Sequence, residues 1–146
     1  MLLAKWSWDY KNRGFNTVRS KSLTHGIDKM KKTILITGAT DGIGLESAKT
    51  LVKQGHHVLV HGRNQEKLEK VVSELSKLSG TARSGTARVD SFIGDLSRMS
   101  EVENLAKSVA EAHTQLDVLI NNAGIYSTKN TQTETGLDVR FVVNTI

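Results

Sequence analysis

Thr33-Ile34-Leu35-Ile36-Thr37-Gly38-Ala39-Thr40-Asp41-Gly42-Ile43-Gly44 reads as a short buried strand, a glycine-punctuated turn and the first turn of a helix. Such a junction exposes backbone N–H groups at the positive end of a helix dipole, an arrangement suited to a phosphate. Three glycines in seven residues let the main chain turn sharply and approach a ligand without a Cβ in the way. Their spacing is Gly-x-x-x-Gly-x-Gly, which differs from the Gly-x-Gly-x-x-Gly of the common dinucleotide fingerprint. Taken alone, the stretch implies a nucleotide site, with a plain structural turn as the alternative.

Downstream of this turn the pattern alternates. Ile43, Ser47, Ala48, Leu51 and Val52 mark one face of a helix that stops at Gly55, and Gly44, Ser47 and Ala48 are small enough for close packing on a sheet. Val58-Leu59-Val60 is a second apolar strand, followed by a helix with Leu68, Val71, Val72, Leu75 and Leu78 at helical spacing. Val89 to Ile93 supplies a third strand. Ser100 and Glu103 have the spacing of a capping box before a helix whose apolar face is Val102, Leu105, Ala106, Val109 and Ala110. Asp117 to Asn121 is the fourth strand, and a last helix is expected from about Thr135, with Leu137, Phe141 and Val142 inward. Strands alternating with helices imply βαβ units with right-handed crossovers. The predicted fold is therefore α/β, a Rossmann-type doubly wound parallel sheet in three layers, incomplete at the C-terminus. Ligands bind such sheets at the carboxyl ends of the strands. The glycine turn, His61-Gly62-Arg63-Asn64, Asp95-Leu96 and Asn122-Ala123-Gly124 all fall at such ends.

Composition narrows the function classes. The chain has 146 residues, enough for one domain with a core, and is 38% hydrophobic and 24% charged, close to ordinary globular values. It has no cysteine, which excludes disulfides, thiol catalysis and thiolate metal sites. Histidines 25, 56, 57, 61 and 113 show no metal-ligand spacing, so no metal site is expected; His56 and His57 open a strand and should face opposite ways. No apolar run approaches the roughly 18 residues of a membrane span.

The basic charge is uneven. Residues 1–29 hold six Lys/Arg and two Asp, a net of +4, while the remainder holds 14 Lys/Arg and 13 Asp/Glu, a net of +1. The high pI thus belongs mostly to the amino-terminal segment, and nucleic-acid binding by the folded part gains no support. Residues 1–29 lack any sustained period and read as a disordered or accidental extension before a domain at 30–146. Their basic residues also faintly resemble an organellar transit peptide; otherwise a cytoplasmic location is expected. Residues 79–83 and 84–88 are a tandem copy of Ser-Gly-Thr-Ala-Arg, read as a duplication in a tolerant surface connection.

Two motifs together resemble the short-chain dehydrogenase/reductase family. Thr37 to Gly44 is similar to its cofactor turn, altered glycine spacing included, and Asn121-Asn122-Ala123-Gly124 is similar to its second signature. Gly136-Leu137-Asp138 through Phe141-Val142-Val143-Asn144 resembles its following helix, particularly in the retinol-dehydrogenase-like members. The resemblance covers the chain from about residue 31 onward. It implies a partial NAD(P)-binding domain in which Gly38, Thr40, Asp41, Gly42, Ile43 and Gly44 cradle the pyrophosphate. Asp95 would meet the adenine amino group with Leu96 packed nearby, and Asn122, Ala123 and Gly124 would follow the ribose and nicotinamide. Asn121 could equally be a buried strand-linking residue or a ligand contact. Arg63 and Asn64 stand where an acid would favour NAD; a guanidinium suits a 2′-phosphate, so NADP is expected over NAD. Asp41, an acid within the turn, counts against that choice.

The family's reaction is hydride transfer between the nicotinamide and a carbonyl or alcohol, with a tyrosine acid/base and a lysine four residues later. Asn144 resembles the active-site asparagine that helps hold a water relay to that lysine. The two tyrosines here do not fit the pair: Tyr10 is followed at i+4 by Gly14, and Tyr126 by Asn130, with Lys129 at i+3. The expectation is an oxidoreductase by family, acting on a small carbonyl or alcohol and homo-oligomeric when complete, of which this chain is an inactive cofactor-binding part. The alternative is a non-catalytic nucleotide-binding or interaction module.

Overall fold

In the computed structural model, residues 31–80, 87–127, 129 and 131–145 are described. The extension at 1–29 and most of the tandem repeat lie outside them. Among the described residues, four strands alternate with four helices: β1 (Thr33–Ile36), α1 (Gly42–Lys53), β2 (His57–Gly62), α2 (Gln65–Ser79), β3 (Arg88–Ile93), α3 (Met99–Ala112), β4 (Val118–Ile120) and α4 (Val139–Thr145). The strands form one sheet in the order β3-β2-β1-β4, and every pairing is parallel. β1 is central, with Leu35 opposite Leu59 on one side and Leu119 on the other.

Strand period two distributes the core over both faces. Ile34, Ile36, Val58 and Val60 point one way and meet Ala48 and Val52 of α1 with Leu68, Val71 and Leu75 of α2. Leu35 and Leu59 point the other way, against Leu96 and against Leu105 and Val109 of α3. This is the expected doubly wound, three-layer Rossmann-type sheet. Leu59 is fully buried; truncating such a side chain to Ala costs about 2–5 kcal/mol.

Three local expectations are corrected. α3 starts at Met99 with Arg98 at its N-cap and no side-chain cap, so Ser100 and Glu103 form no capping box. The tight turn that brings Arg98 N–H onto the Asp95 carbonyl feeds the helix early, and Glu101 instead accepts from the Asp95 amide at 2.7 Å. α4 begins at Val139, later than expected. Gly136 adopts φ 80° in the preceding turn, and Asp138 Oδ1 accepts from the Arg140 amide at 2.8 Å, capping the helix there. The shifted phase turns Val139 and Val142 inward and leaves Leu137 and Phe141 exposed. Ile43 is exposed as well.

Candidate functional site

The glycine turn, the β2–α2 junction, the β3–α3 loop and the segment after β4 meet at the carboxyl edge of the sheet. Their geometry is set by a residue that sequence reasoning left without a role. Thr37, buried at the end of β1, accepts at its hydroxyl from the amides of Asn122 and Ala123, both at 3.0 Å. The Asn122 side-chain amide donates back to the carbonyls of Thr37 (3.0 Å) and Gly38 (3.1 Å). Asn122, expected along the ribose, is thus the link between the β1 and β4 ends. Asn121, for which a buried linking role was open, is exposed. The only sequence signal for Thr37 was a β-branched hydroxyl ending an apolar strand.

Glycine is required at two points of the turn. Gly38 has φ 65°, and a Cβ on it would sit 2.8 Å from Ala123 Cα. A Cβ on Gly44 would lie 2.5 Å from both Asn122 Nδ2 and the Gly38 carbonyl oxygen. α1 therefore starts pressed against the turn. Asp41 is its N-cap, accepting from the Gly42 amide at 2.8 Å, and stays exposed within 3.8 Å of Lys67 Nζ. Among the described residues, the amides of Ile43 and Gly44 meet no acceptor. Gly42, at φ 52°, has open space where a Cβ would stand. Bare amides at a helix N-terminus beside an open backbone fit a phosphate group. Thr40 lies half-buried in the same turn.

A second unanticipated residue braces the turn from β2. His61 is buried; its Nδ1 accepts from the Gly38 amide at 3.3 Å and its Nε2 lies 3.0 Å from the Gly94 carbonyl. The Gly38 N–H can only donate, so Nδ1 is the acceptor and Nε2–H the donor of a neutral ring. Burial pushes the imidazole below its ordinary range, against the hydrogen bond to Gly94 and the charge of Asp95. A lone polar residue continuing the apolar run Val58-Leu59-Val60 was its sequence signal.

The remaining candidates divide by what already holds them. Asn64 is the N-cap of α2, its Oδ1 accepting from the Lys67 amide at 2.9 Å. Arg63, beside it, is exposed. Asp95 is half-buried. Burial works to raise its pKa and is outweighed by hydrogen bonds from Ser97 and by the charges of Arg63 and Arg98, so the carboxyl lies below its usual range. Leu96 is buried and shares a crevice with Asn121, Ala123 and Asn144. Gly124 is exposed, and the Asn144 side chain reaches past it to Ile125. There Asn144 Oδ1 accepts from the Ile125 amide (2.9 Å) and Nδ2 donates to the Ile125 carbonyl (3.2 Å), tying α4 to the strand-end segment. Tyr126, one residue on, is almost fully exposed. No described helix is long and apolar enough to cross a membrane.

Known proteins share this architecture. The family model for short chain dehydrogenases matches residues 32–145. Mouse retinol dehydrogenase 14 is 33% identical over 129 residues, an alignment covering 84% of this chain and 36% of that protein. A short-chain dehydrogenase from Sphingobium yanoikuyae, solved in complex with NADPH, superposes with a TM-score of 0.62 at 29% identity, covering 78% of this chain and 43% of that one. An NAD+-bound xylitol dehydrogenase gives 0.57 at 29% identity, covering 64% and 34%. The chain spans well under half the length of the curated relatives it matches. Residues 32–145 make up most of this chain, and it belongs to the short-chain dehydrogenase family.

Proposed function

We propose that the chain is the NADP-binding part of an oxidoreductase that interconverts a small carbonyl and its alcohol. The observation that carries this reading is the convergence of four strand ends on one edge, with the free amides of Ile43 and Gly44 at its centre. Backbone from Gly38 to Gly44 would hold the pyrophosphate, and the ionised Asp95 would accept from the adenine amino group. Asn122, Ala123 and Gly124 would border the ribose and nicotinamide. When bound, the nicotinamide supplies or receives the hydride.

NADP over NAD rests on Arg63. Immediately after β2 the chain offers Arg63 and Asn64 and no acid; the Asn64 oxygen already caps α2, which leaves the guanidinium for a 2′-phosphate. The relatives include both cofactor types, since solved neighbours hold NADPH and NAD+. Titrating NADPH and NADH against the wild type and Arg63→Ala separates the two. The variant should lose NADPH affinity by about tenfold or more, the scale of a charge-assisted hydrogen bond, and keep its NADH affinity. Equal losses for both cofactors would overturn the assignment.

By the same reading this chain binds the dinucleotide without turning substrate over, because neither tyrosine is followed by lysine at i+4. Reproducible NADPH-dependent carbonyl reduction by purified residues 1–146 would defeat that part. A non-catalytic binding module is the second reading, favoured by the same missing pair. A gene sequence that continues past Ile146 into a Tyr-x-x-x-Lys motif would exclude it.

A further inference from the structure

At the opposite end of the sheet from the glycine turn, three side chains from distant parts of the chain meet. His57 opens β2, Asp90 lies in β3, and His113 follows the last turn of α3. Period two puts His57 on the same sheet face as Leu59, and Asp90, paired with Leu59 in register, on that face too. His56, the neighbour of His57, turns away and accepts from the Lys32 amide at 3.3 Å. α3 covers this face and delivers His113 to its edge, where the rings of His57 and His113 stand 4.9 Å apart, edge to face.

Both imidazoles direct Nε2 at one carboxylate oxygen. His57 Nε2 is 2.8 Å from Asp90 Oδ2 and His113 Nε2 is 3.4 Å from it. The first is a hydrogen bond. The second is close but misaligned, and His113 Nε2 is a buried atom with no hydrogen-bond partner among the described residues. A buried polar atom without a partner is costly and calls for a physical account. A cation shared by the three side chains would satisfy it.

We propose that His57, Asp90 and His113 form a binding site for a divalent transition ion of the zinc type. One ligand atom from each residue lies within 4.8 Å of the other two. Around an ion with Zn–N near 2.0–2.1 Å and Zn–O near 2.0–2.2 Å, tetrahedral ligand atoms stand roughly 3.3–3.5 Å apart. The 3.4 Å from His113 Nε2 to Asp90 already matches that spacing, and the 2.8 Å from His57 Nε2 would lengthen by about 0.5 Å to reach it. Two imidazoles with one carboxylate select Zn2+, Ni2+ or Cu2+ over Mg2+ and Ca2+, which prefer all-oxygen shells. The imidazole side chains are 12% and 13% exposed and Asp90 is 45% exposed, so solvent reaches the cluster on the carboxylate side and can fill a fourth position. The bound ion clips edge strand β3 to β2 and to the end of α3. It lies away from the carboxyl edge and does not depend on the cofactor reading.

The test uses the tag-free chain, stripped with chelator and titrated with Zn2+ against a chromophoric competitor, with Co2+ as a spectroscopic probe. Wild type should bind one Zn2+ per chain, gain thermal stability with it, and give the visible absorption of tetrahedral Co2+. His113→Gln is the cleanest variant, since His113 Nε2 makes no hydrogen bond to any described residue. It should fold as wild type by circular dichroism, bind Zn2+ at least about tenfold more weakly, and lose the Co2+ band and the Zn2+-induced rise in Tm. Asp90→Asn and His57→Gln should behave likewise, and His25→Ala should bind as wild type. Stoichiometric Zn2+ binding that survives unchanged in His113→Gln, or no saturable binding by the wild type at micromolar Zn2+, would overturn the proposal.

Discussion

Asn122 grips Thr37 at two points: its backbone N–H donates to the Thr37 hydroxyl, and its side-chain amide donates to the Thr37 carbonyl, each at 3.0 Å. The residues are 85 positions apart in the chain. Through this contact the glycine turn after β1 and the segment after β4 behave as one rigid edge, and the turn cannot move without breaking hydrogen bonds in both.

Removing that grip should cost stability. Asn122→Ala loses the two side-chain bonds to Thr37 and Gly38 while keeping its backbone bond to the Thr37 hydroxyl. A loss of about 1–3 kcal/mol is expected, including the penalty of leaving partly buried carbonyls short of a donor. Urea denaturation of the variant against wild type measures it. A shift within about 0.5 kcal/mol, the range of ordinary surface substitutions, would mean that Asn122 is not a structural link.

Two glycines in one turn should respond differently to alanine. Gly44→Ala drives a methyl into the Gly38 carbonyl and the Asn122 amide, and one of these is backbone. Overpacking of this kind costs about 1–3 kcal/mol, and it should weaken dinucleotide binding by displacing the turn. Gly42→Ala meets open space and is strained only by its φ of 52°, a cost of about 1–2 kcal/mol. Comparing Tm and NADPH affinity for both checks the claim. It fails if Gly42→Ala disturbs binding more than Gly44→Ala does.

Acid should loosen the turn through His61. Its folded-state pKa is lowered by burial, so between the folded value and the ordinary imidazole value near 6.5 the unfolded chain binds more protons. Stability contributed by the neutral ring is therefore full above about pH 6.5 and declines as pH falls below it toward the lowered folded value. Chemical denaturation from pH 7.5 to 5 should show this decline, with a shallower slope in His61→Gln. Identical slopes would show that His61 is not the group responsible.

Asn144 should act locally. In Asn144→Ala the Ile125 amide loses its acceptor, and its hydrogen exchange should accelerate about tenfold, the factor set by one hydrogen bond of about 1.4 kcal/mol. Exchange at the buried amides of β1 should not change. Unaltered protection at Ile125 would remove the tether between α4 and the strand-end segment.

The fold was legible because its signals are local. Ile34-Leu35-Ile36, the glycine spacing from Gly38 to Gly44 and the helical repeat of Leu68, Val71 and Leu75 each depend on residues a few positions apart, and chain connectivity then leaves little choice but a parallel sheet. α4 was misplaced by a few residues for a local reason as well: Asp138 caps it, and no periodicity reveals which of several polar residues will take the cap.

By itself, then, the sequence determined the alternation of strands and helices, the sheet edge that carries the glycine turn, and the family. Tertiary structure alone decided which distant residues meet at the two ends of that sheet. Thr37 with Asn122, His61 with Gly38 and Gly94, and His57 with Asp90 and His113 are each joined across 23 to 85 positions. Side-chain hydrogen bonds depend on ångström-scale placement that periodicity does not encode. A histidine in an apolar strand and an asparagine after one look alike in sequence whether they meet a ligand, a carbonyl or an ion, and only the packed sheet distinguishes those fates.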